Sequence, residues 1–286
     1  MFRYTSGAGI HSPAVVSLMR KNDFVNGYYD HRILRVLEEV PVLLPVFFDT
    51  IIYPPGSRVL DAACGPGVQT CYLAQISPAA QFTGLDIARS SIIKGAKLRK
   101  KAGIRNIRFK VGDIFDLPFE EESFDHVIFT FGIEYVKNPE KAIQQLKKVL
   151  RPGGTITLLA SDFGSFMVWP DTSEMLETWD SFTRIHELLG GDSYAGRKIH
   201  PLLATAGFRY IHVTPVPVYC DAENQDLRDR FIGNALVPII DEMKPRMIKL
   251  GLVSEKNCNS GIRDLITSCG SGATFSLTFF RGIGVK

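Results

Sequence analysis

The stretch Val59-Leu60-Asp61-Ala62-Ala63-Cys64-Gly65-Pro66-Gly67 decides how the chain is read. A short apolar run ends in an acid and turns through small residues into a helix-length segment reaching about Ile76. Small residues let a backbone approach a ligand and adopt positive φ. The helix that follows directs its free N–H groups into the same crevice. In open α/β sheets, ligands bind beyond the carboxyl ends of the strands, near the point where the strand order reverses. The pyrophosphate-cradling pattern GxGxxG is absent, because Gly65-Pro66-Gly67 is followed by Val68, Gln69 and Thr70.

Working outward, short apolar runs alternate with amphipathic segments of helix length. Arg58 to Asp61, Gln81 to Asp86, Ile107 to Val111, Asp125 to Phe131 and Thr155 to Ala160 read as strands. Ala88 to Ala102 and Pro139 to Leu150 read as helices, the second closed by Arg151-Pro152-Gly153-Gly154. This alternation predicts a parallel α/β sheet with helices on both faces. Residues 161–196 break the rhythm with a run of aromatics that includes Trp169 and Trp179. It resumes with a helix from Lys198 to Ala206 and a strand from Phe208 to Val218; 222–266 reads as helical, and Thr274 to Phe280 as a strand. Upstream, residues 1–55 read as mainly helical. Ser12-Pro13 is an N-cap signal, His31 to Glu39 and Leu43 to Ile52 are periodic stretches, and Pro54-Pro55-Gly56 stops them.

Composition narrows the function classes. With 45% hydrophobic and 22% charged residues in 286, the chain is an ordinary globular one. A net charge of +3, from 33 basic and 30 acidic side chains, is small for a protein that works by neutralising phosphates. The basic residues Arg89, Lys94, Lys97, Arg99, Lys100 and Lys101 fall mostly on one helix, away from the expected site edge, and read as a solvated face; no nucleic-acid partner is expected. The five cysteines are irregularly spaced and contain no CxxC, so no metal site is expected, and they fit a cytoplasmic protein with free thiols. The longest apolar stretch, Val40 to Ile52, is interrupted by Pro41, Pro45 and Asp49 and is too short to span a bilayer.

The acid followed by small-x-Gly-x-Gly resembles the first motif of class I S-adenosylmethionine-dependent methyltransferases, with Ala63 in place of the usual first glycine. Later motifs follow in order. Gly84-Leu85-Asp86-Ile87 ends the second strand with an acid 21 residues after Gly65, and Val111-Gly112-Asp113-Ile114 ends the third. Phe124 to Phe129 is similar to the fourth motif, Leu150 to Gly154 to the turn into the fifth strand, and Gly196-Arg197 through Phe208 to the entry into the sixth. The resemblance covers about residues 57–218 and is nearest to the ubiquinone- and menaquinone-biosynthesis type that acts on small molecules. It implies a Rossmann-like, seven-stranded, mostly parallel sheet with an antiparallel last strand over residues 275–280. Residues 56–286 would form the methyltransferase domain. The N-terminal helices (1–55) and the insertions 161–196 and 222–266 would cap it.

The same resemblance implies S-adenosylmethionine as cofactor and S-adenosylhomocysteine as its product. Asp61 would hold the methionine ammonium, while Ala63, Cys64, Gly65 and Gly67 carry backbone past the methionine and ribose. Asp86 would bind the ribose, Ile87 would lie beside the adenine, and Asp113 and Ile114 would define it. Phe129 or Thr130 would line the floor at the methionine end. Strand-end acids also cap helices and make turns, and Asp113 has that second reading most strongly. On the acceptor side, Tyr135, Phe163, Phe166, Trp169 and Trp179 are candidates for binding a small lipophilic or aromatic molecule. The aromatic segment 161–182 reads as a lid over the substrate; the alternatives are that Trp169, Trp179 and Phe182 bury an amphipathic helix face, or that the insertion's aromatics form a dimer surface. Tyr4, His11, Tyr28 and Tyr29 would reach over from the N-terminal helices. Glu134 is either a general base or a surface helix cap. The tetrapeptide of adenine-N6 and glutamine methyltransferases is missing at Phe129-Thr130-Phe131-Gly132, as is a Pro-Cys nucleophile for cytosine. A cyclopropane-forming or aminopropyl-transferring enzyme, or a non-catalytic binding module, are the alternatives on this fold.

Overall fold

The computed structural model describes residues 43–48, 50–267 and 272–286. The periodic stretches before Leu43, most of the N-terminal cap, and Tyr4, His11, Tyr28 and Tyr29 lie outside the described residues. After a short helix α1 (Leu44–Phe48) come β1 (Arg58–Ala62), α2 (Val68–Ile76), β2 (Gln81–Asp86), α3 (Arg89–Lys101), β3 (Ile107–Val111) and β4 (Phe124–Thr130). A 3₁₀ turn (Ile133–Tyr135) precedes α4 (Pro139–Val149), β5 (Leu150–Trp169), α5 (Ser173–Leu188), α6 (Ile199–Thr205) and β6 (Arg209–Cys220). Then follow α7 (Gln225–Arg228), a π-helix (Asp229–Leu236), α8 (Val237–Lys249), α9 (Glu255–Thr267) and β7 (Thr274–Val285).

The seven strands are ordered β3-β2-β1-β4-β5-β7-β6. β1 to β5 run parallel, and β7 lies antiparallel between β5 and β6. The order reverses between β1 and β4, which opens the crevice beyond Asp61 and Thr130. Alternate residues serve opposite faces, as a pleated strand requires. Val59 and Ile128 join the core under α2 and α5, while Leu60, Val127 and Phe129 join the core under α4 and α6. Helix starts follow local chemistry. Asn138 Oδ1 accepts from Lys141 N–H at 2.8 Å ahead of Pro139, and Thr172 Oγ1 accepts from Met175 N–H at 3.2 Å.

Phe109 of β3 fixes the turn that matters. A Cβ on Gly67, Gly84 or Gly95 would fall 2.5, 2.6 or 3.0 Å from its ring. Only glycine leaves room for that ring, which packs β3 against the start of α2, against β2 and against α3.

Two boundaries differ from the sequence reading. β5 does not stop at Ala160: it bulges between Asp162 and Met167, then pairs again with β7 as far as Trp169. The first part of the 161–196 insertion therefore belongs to the sheet. Both oxygens of Asp162 hold the bulge by accepting from Arg197, at 2.6 and 2.7 Å. The helical stretch Leu43 to Ile52 shrinks to Leu44–Phe48, since Pro54 and the turn before it leave no length to propagate. No helix among the described residues is long and apolar enough to cross a membrane.

Candidate active site

A cavity of about 350 Å³ opens at the carboxyl ends of β1, β2 and β4. Asp61 lies one residue before the end of β1 and is 1% exposed. Its Oδ2 accepts from the Thr70 hydroxyl at 2.6 Å and its Oδ1 from the Gln69 amide at 3.3 Å. Gln69 in turn accepts from the Thr130 hydroxyl at 2.6 Å, so β4, α2 and β1 are tied by one polar chain. Burial pushes the Asp61 carboxyl up to about 7, against the pull of Thr70 and with the nearby Asp86 adding to the rise.

Asp86 ends β2. It accepts from Gly65 N–H at 2.9 Å and Ala88 N–H at 2.8 Å, which locks the first turn onto the second strand. Burial raises its carboxyl, and the two backbone donors oppose that rise. Ala63 sits at φ 57°, so the alanine at the usual glycine position carries a left-handed backbone. Cys64 lines the cavity, and burial, with Asp61 and Asp86 alongside, holds its thiol well above the usual range. Asp113 does both things read from the sequence: it lines the cavity, and its Oδ1 accepts from Phe115 N–H at 2.9 Å in a local turn. Ile87, Ile114 and Thr130 line the cavity as well.

Beyond Thr130 the wall becomes aromatic. Phe47 of α1, Phe131 and Phe279 of β7 meet edge to face, with centroids 4.9 to 5.9 Å apart. Phe163, Phe182, Phe231, Leu236 and Ile239 continue the wall. Phe131 is held at φ 51°, an uncommon backbone for an aromatic residue and one that tends to cluster at functional sites.

Glu134 stands where the two halves meet. It is 2% exposed, not a surface cap. The 3₁₀ turn folds it inward, and its Oε1 accepts from Ser161 N–H at 2.8 Å and the Ser161 hydroxyl at 3.1 Å. Its Oε2 is buried with no hydrogen-bond partner among the described residues. Burial raises its carboxyl to about 7, and Asp192 adds to the rise while Ser161 opposes it.

Several expected site residues are placed elsewhere. Phe129 is fully buried in the core under α4, because β4 alternation turns it away from the crevice. Gly67 shapes the turn at φ 73° but does not line the cavity. Trp169 is 63% exposed at the far end of β5. Trp179 donates to the Phe163 carbonyl at 3.0 Å and stacks on Phe166 at 4.1 Å, behind the wall rather than on it. Tyr135 and Phe163 do line the cavity. Gln69, Ser161, Phe131, Phe231 and Phe279 were not picked out from the sequence. Of these, only Gln69 and Phe131 carried a signal, since Gln69 lies two residues past the first motif and Phe131 two past Phe129 of the fourth.

The family model described as "Methyltransferase domain" matches residues 54–207, more than half of the chain. The chain belongs to the methyltransferase domain family. Its fold is that of the class I, S-adenosylmethionine-dependent methyltransferases. Among curated relatives, an uncharacterized 37.1 kDa protein in transposon Tn4556 of Streptomyces fradiae is 29% identical over 63% of this chain and 52% of its own length. A demethylmenaquinone methyltransferase of Staphylococcus aureus is 34% identical over 36% of this chain and 43% of its own. The match thus spans about half of those relatives. Phosphoethanolamine N-methyltransferase 2 of Haemonchus contortus, solved with phosphomonomethylethanolamine and S-adenosylhomocysteine, shares the fold. Its TM-score is 0.58 at 16% identity, over 95% of this chain and 60% of its own.

Proposed function

We propose that this methyltransferase-family chain moves a methyl group from S-adenosylmethionine, by direct displacement, to a small lipophilic or aromatic acceptor. The observation that carries the reading is a single cavity that is acidic and polar at the strand ends and aromatic beyond Thr130. The residues fit the donor. Asp61 and Asp86 are buried carboxylates on a wall that includes no Lys, Arg or His among the described residues, and a cationic sulfonium with its ammonium suits that wall. Asp61 and Gln69 would hold the ammonium end, while the backbone of Ala63, Cys64 and Gly65 passes close by. Asp86 would accept from the ribose hydroxyls, and Ile87, Asp113 and Ile114 would frame the adenine. When bound, the donor supplies a methyl group already activated by positive charge. The chain's part is alignment and exclusion of water. Phe131, Tyr135 and Phe163 would lie against the acceptor, and Glu134 would take up any proton it releases.

The methyltransferase activity for which the Staphylococcus aureus relative is named and the S-adenosylhomocysteine bound by the Haemonchus contortus protein support the same reading. Calorimetric titration of S-adenosylhomocysteine tests it. Micromolar binding is expected, and Asp86→Ala should weaken it at least tenfold. No binding to the wild-type protein would sink the reading. Product mass separates methylation from aminopropyl transfer or cyclopropane formation.

A further inference from the structure

Between Asp86 and Asp113 the chain carries nine basic side chains and not one acid. The other 24 basic residues are outnumbered by the 30 acidic ones, so a nearly neutral whole contains a strongly positive part. None of the nine is in an ion pair among the described residues. Six of them fall on α3, whose inner side is fixed by Gly95 against the Phe109 ring. On the opposite side Arg89, Ile93, Lys97 and Lys100 recur at helical spacing as one exposed stripe, with exposed Lys101 beside it.

Helix stability does not account for this stripe. Arg99, Lys100 and Lys101 in the last turn suit the helix dipole, but Arg89 in the first turn opposes it. Lys94 and Lys97, Lys97 and Lys100, and Lys97 and Lys101 are like charges three or four residues apart, with no acid on the helix to relieve them. Ile93 stands open among these charges at 48%, and Val111, on the Phe109 side of β3, at 40%. Both lie toward the carboxyl edge of the sheet, where α3 begins and β3 ends. Positive charge around exposed aliphatic side chains fits a surface that is anionic outside and apolar just beneath.

We propose that the outer face of α3 docks on an anionic lipid bilayer, with its basic side chains on the headgroup phosphates and Ile93 and Val111 entering between them. A nucleic acid would supply phosphates but nothing for the two aliphatic side chains, and no aromatic ring on which a base could stack lies exposed between Asp86 and Asp113. α3 begins two residues after Ile87, which lines the cavity, so docking sets the cavity mouth beside the bilayer. The proposal goes beyond the methyl-transfer reading and does not depend on it.

Flotation of the wild-type chain with lipid vesicles tests it. Vesicles of phosphatidylcholine with one third phosphatidylglycerol should bind at least tenfold tighter than vesicles of phosphatidylcholine alone. That binding should fall severalfold between about 0.1 and about 0.5 M salt. Lys97→Glu with Lys100→Glu should weaken it at least tenfold. Lys249→Glu with Lys256→Glu, the same change in net charge on α8 and α9, should leave it within twofold. Lys97→Glu places an acid three residues from Lys94 and four from Lys101, so α3 should keep its stability, read as an undiminished Tm. Ile93→Ser should weaken vesicle binding severalfold and leave binding to a short DNA duplex unaltered. Equal binding to the two kinds of vesicle overturns the proposal, as does an equal loss from the two charge-reversed pairs, or an Ile93→Ser variant that binds vesicles as wild type does. Tighter binding to the duplex than to anionic vesicles at equal phosphate also overturns it, and would make a nucleic acid the partner.

Discussion

The two halves of the cavity are built in opposite ways. The donor half is local: Asp61, Asp86 and Thr130 sit at the ends of adjacent strands with Gly65 in the turn beyond β1, joined by backbone and side-chain hydrogen bonds. The acceptor half is gathered from far apart, from Phe47 on α1 to Phe231 in the π-helix and Phe279 on β7, and is held by ring packing. Direction matters in a hydrogen bond and hardly at all in apolar contact. The first half should therefore fix one ligand and the second should adapt to several shapes.

The largest expected effect falls on Glu134, at the seam. Because its carboxyl is raised to about 7, turnover should climb as pH rises through that region and the base loses its proton. Glu134→Gln should remove the climb from kcat and cost a hundredfold or more. Asp61, also raised to about 7, should leave its limb in the donor KM instead. A kcat profile unaltered by Glu134→Gln would erase the seam.

The same group sets a stability difference. A carboxyl raised on folding weakens the fold as pH climbs from its unfolded value of 4.5 through about 7. Without ligand, Glu134→Gln should match wild type below pH 4.5 and exceed it above pH 7, by on the order of 3 kcal/mol. Denaturant melts at a series of pH values measure the gap.

Smaller effects separate the halves directly. Gly84→Ala puts a methyl group 2.6 Å from the Phe109 ring, and that ring is already confined by Gly67 and Gly95. About 2 kcal/mol of stability should be lost, together with donor affinity. Phe231→Leu, in the aromatic wall, should raise the acceptor KM severalfold with donor affinity untouched. If Phe231→Leu weakened the donor as much as Gly84→Ala, the division into halves would be wrong. The smallest change is a gain: Ala63→Gly relieves the left-handed backbone and should stabilise by up to about 1 kcal/mol, read as a shift of one or two degrees in Tm.

This division also explains what the sequence made legible. Each donor element is a contiguous stretch of strand, acid and small residues, so order and spacing were enough to place Asp61, Asp86, Asp113 and the sheet around them. The acceptor wall depends on which way a side chain points. Trp169 and Trp179 stood out by type, yet one faces outward and the other lies behind Phe163. Glu134 kept two readings, general base or surface cap, because nothing in Gly132-Ile133-Glu134 announces a turn that swings it inward. Phe231 lies in a π-helix, whose spacing a search for helical periodicity does not anticipate. Phe279 was read onto a strand, and only the insertion of β7 between β5 and β6 sets it over the cavity.

That insertion has a consequence for synthesis. On the ribosome β6 emerges before β7, yet among the described strands β7 is its sole neighbour in the sheet. A nascent chain that has reached Cys220 can pair β1 to β5 while β6, with Val216 and Val218 on it, waits unpaired over the stretch that encodes α7 to α9. Such a strand is exposed to misjoining and to chaperones until translation supplies Thr274–Val285. The donor pocket is thus assembled early, and the wall that selects the acceptor closes only when β7 has left the tunnel.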